Sequence, residues 1–91
     1  MDERKQLIEQ IKIVITSLEE KYFKEIQRGG VLQLIYIRYK NALEILENDK
    51  DIARITIIGG IRAYLDSYSD YENSILGELY KAEKLNKELL N

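Results

Sequence analysis

The chain has 91 residues, 45% of them hydrophobic and 33% charged, which suits one small domain near the lower size limit for unaided folding. That balance supplies a core and a solvated surface, and it excludes a disordered or membrane-embedded chain. The formal net charge is −2 and the sequence has no cysteine, histidine, tryptophan or proline. Disulfides, thiolate chemistry, cysteine metal sites and the usual neutral-pH general base are therefore absent, and no proline interrupts a helix.

The charges are mixed along the chain, with no basic stripe, so nucleic-acid binding is not expected. No apolar run approaches the ~20 residues needed to span a bilayer. The opening MDERKQLIEQ places charge where a signal peptide needs an apolar segment; a cytoplasmic protein is expected.

In chain order, Leu7, Ile8, Ile11, Val14, Ile15, Leu18, Tyr22 and Ile26 recur at spacings of three and four, predicting a first helix over Asp2–Arg28 with one apolar face. Ile13 and Phe23 lie off that stripe. Gly29 and Gly30 are its terminator. A second helix is predicted over Val31–Glu47, with Leu32, Ile35, Tyr36, Tyr39, Ala42, Leu43 and Leu46 on its main face. Leu34, Ile37 and Ile45 point to the opposite side, and a helix apolar on two sides calls for two neighbours.

Asn48-Asp49-Lys50-Asp51 reads as a turn and N-cap, leading into a third helix over Ile52–Tyr68. At 100° per residue, Ala53, Thr56, Gly60, Ala63 and Ser67 fall in one arc of small side chains, which predicts close helix packing. On this reading Gly60 would not accept a large side chain. Gly59, nearer the polar edge, would accept alanine. A kink at Gly59-Gly60 is the competing reading, and a phosphate cradle lacks its lysine or third glycine.

Ser69 and Glu72 fit a capping box ahead of a fourth helix with Ile75, Leu76, Leu79, Ala82, Leu85, Leu89 and Leu90 inward. Glu83 with Lys87, and Lys84 with Glu88, have the i, i+4 spacing of surface pairs, as do Arg62 and Asp66. A continuous helix from the third segment into the last is the alternative. Asp66, Asp70 and Glu72 read as caps, since no calcium-loop spacing surrounds them. Tyr64, Tyr68 and Tyr71 lie on successive turns and form either core-edge packing or a candidate recognition surface.

The expectation is a single all-α domain over residues 1–91, an antiparallel four-helix bundle, with three helices and a long C-terminal one as the alternative. Its expected role is a cytoplasmic protein–protein interaction module that self-associates as a homodimer, with Leu34, Ile37, Ile45, Ile13 and Phe23 at the interface. No cofactor, metal or catalytic residue is expected. A small inhibitor or immunity-type protein is the second reading, and a carboxylate-based enzyme in a bundle cavity the third.

Overall fold

Gly29 ends the first helical stretch in the left-handed region, at φ +87°, where glycine meets no Cβ penalty. The computed structural model describes residues 3–48, 50–67 and 74–90. Before Gly29 the single predicted helix divides in two, α1 over Glu3–Lys21 and α2 over Phe23–Arg28. Tyr22 makes the bend at φ −128°, ψ 26°. Helical hydrogen bonds continue through it, Tyr22 N–H to Leu18 O and Ile26 N–H to Tyr22 O, both 2.9 Å. The bend lays α2 against α3.

α3 spans Val31–Glu47, as its periodicity predicts. Leu32, Ile35, Tyr39, Ala42 and Leu46 are buried on one side. Its C-terminal end is tied to the start of α1, because Arg4 donates from Nη2 and Nε to Leu46 O at 2.8 and 3.2 Å. A guanidinium there satisfies a terminal carbonyl and suits the negative end of the helix dipole.

The predicted third helix does not form as one element. Asp51 caps only a 3₁₀ turn over Ile52–Arg54, its carboxylate accepting the Ala53 N–H at 3.0 Å. Ile55 and Ile57 then point inward while Thr56 between them is exposed. The chain turns at Ile58 and Gly59, and α4 occupies Gly60–Ser67. Two causes act together. The β-branched run Ile55–Ile58 favours extended backbone, and Gly59 sits at φ +104°, which no α-helix contains.

The small-residue arc is thereby corrected. Ala53 and Thr56 precede α4 and are exposed, as is Ser67; Ala63 is half-buried and only Gly60 is buried. A Cβ on Gly60 would meet its nearest atoms, Glu83 Oε2 and Ile35 Cγ1, at 3.7 and 3.9 Å, an ordinary contact distance. Gly60 thus has room for a methyl group, while Gly59 is the position that requires glycine. That reverses the tolerance expected of Gly59.

α5 spans Ser74–Leu90 and buries Ile75, Leu79, Ala82, Glu83 and Asn86. Leu90, expected inward, is exposed. α4 and α5 are separate helices, since Glu83 of α5 hydrogen-bonds the first turn of α4, which a continuous helix would hold some 33 Å away. The capping box at Ser69 and Glu72 lies outside the described residues.

The described residues are all-α with no strand. α1 packs on α3 and α5, and α4 packs on the same two helices, so four helices close a ring compatible with a four-helix bundle. Leu7, Ile11, Val14, Leu18, Ile35, Tyr39, Ile57, Ile75 and Leu79 fill its centre. Each large aliphatic side chain there contributes about 1.5–3 kcal/mol by leaving water. Gln10 fixes α1 on α5 by donating to Glu78 O at 3.0 Å and to its carboxylate at 2.8 Å.

Candidate interaction surfaces

Among the described residues, two surfaces group several exposed apolar side chains together. The first is the outward face of α3. Viewed down the helix, Leu34, Ile37, Asn41 and Ile45 lie opposite the buried stripe. Leu34 is 42% exposed and Ile37 46%, while Ile45 is half-buried. The flanks of this face carry Arg38, Lys40 and Glu44. Lys40 lies 5.9 Å from the centre of the Tyr36 ring, and Tyr36 donates its hydroxyl to Glu19 at 2.6 Å. That hydrogen bond, then desolvation, then the Glu19 charge raise the Tyr36 pKa from its ordinary value.

The expected interface residues do not gather on one surface. Leu34, Ile37 and Ile45 share the α3 face. The Tyr36–Glu19 bond and the Lys12–Glu47 pair mark the α3 side of α1, whereas exposed Ile13 borders a hollow between α1 and α5 with Gln10, Ser17 and Glu78. Phe23, more than half exposed, opens α2. Tyr64 is buried, and Tyr68 and Tyr71 lie outside the described residues. Tyr64 is therefore core, because the inward side of the short α4 is the side it occupies with Gly60.

The second surface is a groove of about 690 Å³ between α4 and α5. Ile58, Ile61, Leu65 and Tyr80 supply its apolar lining, and Arg62, Asp66, Lys84 and Lys87 its charged rim. Ile58 and Tyr80 are well exposed. The groove lining also includes Glu83, a residue whose role sequence reasoning missed. Its spacing with Lys87 suggested an outward pair, yet it is buried, and its two carboxylate oxygens accept the N–H groups of Gly59 and Ile61 at 3.2 and 2.9 Å.

The reason lies in Gly59. Gly59 O accepts the first helical hydrogen bond of α4, from Ala63 at 2.9 Å, so Gly59 occupies the cap position without a capping side chain. Glu83 supplies the missing acceptor from the neighbouring helix, and its negative charge suits the positive end of the α4 dipole. The available signal was position: Glu83 is four residues after Leu79 and falls within the arc that α5 turns inward.

None of the three pairs that the spacing suggested, Arg62–Asp66, Glu83–Lys87 and Lys84–Glu88, forms among the described residues, whose ion pairs include Lys12–Glu47, Lys50–Glu44 and Lys81–Glu78. Among the described residues, Arg62, Lys84 and Lys87 thus stand around the groove without a carboxylate ion-pair partner. Among the described residues no cluster of acidic side chains could hold a metal ion, and Asp70 and Glu72 fall outside them.

Among the described residues two polar side chains are enclosed without a hydrogen-bond partner for their buried atoms. The Tyr39 hydroxyl and both amide atoms of Asn86 lack a hydrogen-bond partner among the described residues. Burial, with a smaller contribution from the Glu83 carboxylate, raises the Tyr39 phenol far above its ordinary pKa of 10.0.

These features define a small all-α protein with exposed apolar surfaces, in which no described helix is long and apolar enough to cross a membrane. The chain belongs to the family described as "YeeD uncharacterised protein", whose sequence profile matches residues 2–91. It is similar to a protein of Bacillus subtilis (strain 168) described as "Uncharacterized protein YeeD". The two are 35% identical over 96 residues, covering 97% of this chain and 93% of that one. No solved structure matches the chain.

Proposed function

We propose that this protein is a helical protein–protein interaction module, without a catalytic role, that self-associates through the outward face of α3. The observation that carries the reading is the exposure of Leu34 and Ile37 on successive turns of a helix whose opposite side already fills the core. Exposed apolar side chains grouped in this way on one helix face favour a contact surface. Pairing two copies about a two-fold axis is the commonest way to cover one. Asn41 between Ile37 and Ile45 adds a polar group able to bond its symmetry mate across such an axis. The proposal places the module in the cytoplasm, supported by a core that forms without any disulfide.

Sedimentation equilibrium at micromolar concentration tests the reading. The wild type is expected as a dimer and Leu34→Lys/Ile37→Lys as a folded monomer. This pair is preferable to one containing Ile45, which is half-buried. A monomeric wild type at high concentration would overturn the proposal.

A further inference from the structure

We infer that the groove between α4 and α5 is a second binding site, and that its occupant is an acidic amphipathic helix of another protein. The groove is separate from the self-association surface, since no α3 residue lines it. Its lining is apolar through Ile58, Ile61, Leu65 and Tyr80, and among the described residues its rim sets three cations, Arg62, Lys84 and Lys87, against one carboxylate, Asp66. Glu83 does not offset them outward, because both its oxygens are engaged by backbone N–H groups. The concentration of cations among the described residues of the rim is local, on a chain whose net charge is −2.

Complementarity then defines the partner. A ligand that fills this groove presents an apolar ridge flanked by acidic groups. The groove runs along α5 from Tyr80 to Lys87, a rise of about 10 Å. That length admits two turns of a helix with anchors at i, i+3 or i+4, and i+7. Two flanking helices form its walls, and among the described residues no strand edge offers the hydrogen bonds an extended peptide would add to. The exposed Tyr80 ring is the natural anchor, joining apolar area to a polar tip.

A second copy of this chain is a poor match. Its α3 face would bring Arg38 and Lys40 toward Arg62, Lys84 and Lys87, and like charges at an interface are costly. Its α1 offers one exposed apolar residue, Ile13, in place of a ridge.

The test is a titration of ¹⁵N-labelled protein with a synthetic peptide about four helical turns long, carrying leucine at i, i+3, i+4 and i+7 and glutamate on both flanks. A control peptide replaces every glutamate with lysine. The acidic peptide is expected to shift the amides of Ile58–Asp66 and Tyr80–Lys87 saturably, and added salt is expected to weaken it. Arg62→Glu/Lys84→Glu/Lys87→Glu should bind at least about tenfold more weakly, with an unchanged circular dichroism spectrum. Tyr80→Ala, at an exposed position, provides a second variant that should weaken binding while leaving the fold intact. Equal binding by the lysine peptide, undiminished binding by the triple variant, or no binding of the acidic peptide would each overturn the inference. So would the same amide shifts on concentrating the protein alone, which would make a second copy the occupant, or saturable shifts with palmitate but not peptide. Oligomeric state is read separately by sedimentation, so failure of either proposal leaves the other standing.

Discussion

Gly59 and Gly60 are adjacent and apolar alike, yet they answer to different constraints. A side chain at Gly59 must adopt φ +104°, a conformation costing an L-residue about 1–3 kcal/mol. Gly59→Ala should lose that much in urea melts, although no atom lies within 4 Å of the added methyl group. Gly60→Ala should be neutral or stabilising by up to about 1 kcal/mol, since it restricts the unfolded chain and meets only ordinary contacts. Tyr39 illustrates a cost of another kind. Its hydroxyl is enclosed without a partner among the described residues, so Tyr39→Phe should be neutral or mildly stabilising at pH 7. It should also alter alkaline behaviour. A phenol whose folded pKa lies above the unfolded value of 10.0 binds more protons folded than unfolded once pH exceeds 10. Its contribution is therefore complete below pH 10 and lost as pH rises from there toward the folded value. Melts at pH 9 and 11 should show a smaller loss for Tyr39→Phe than for wild type; equal losses would contradict the assignment.

At the scale of elements, α4 is the helix least able to stand alone. It has eight residues, fewer than isolated helices need, and its cap position lacks a side chain. Glu83→Gln keeps one acceptor but places an amide N–H₂ against a backbone donor. It should cost about 1–2 kcal/mol and accelerate hydrogen exchange at Gly59 and Ile61 more than in α1. Unchanged exchange at those two amides would mean that Glu83 does not hold α4. This element also shows where sequence reading runs out. Periodicity located α3 to the residue because its stripe, its flanking glycines and its single phase all agree. It also placed the inward residues of α1 and most of those of α5. Across Ile57–Tyr64 the same three-and-four pattern arose by coincidence, because an inward Ile57, Gly60 and Tyr64 mimic one helical phase, although the inward Ile55 lies on the other side of such a helix. Only the β-branched run and the backbone of Gly59 distinguish the two cases, and the second is invisible without coordinates. The Glu83 contact joins positions more than twenty residues apart, which no local spacing encodes.

For the whole molecule, the ring of four helices in a body of 34 × 23 × 19 Å leaves little interior to hide surplus apolar residues. The two-sided pattern of α3 and the exposed groove are both consequences of that size. If the α3 faces pair, association stabilises the fold by mass action. The thermal midpoint of the wild type should then rise with protein concentration, whereas that of Leu34→Lys/Ile37→Lys should stay constant; identical behaviour would count against pairing. The Glu83 clamp has a consequence in time as well. α4 precedes α5 in the chain but draws its cap from it, and α1 finds its most extensive partner in α5. As the chain is synthesised, α1, α2 and α3 can assemble into a hairpin-like platform while α4 remains an uncommitted segment. α5 must dock before the ring closes and before α4 gains its Glu83 cap, so the closing contact joins the segments farthest apart in sequence and carries the largest loop-closure entropy.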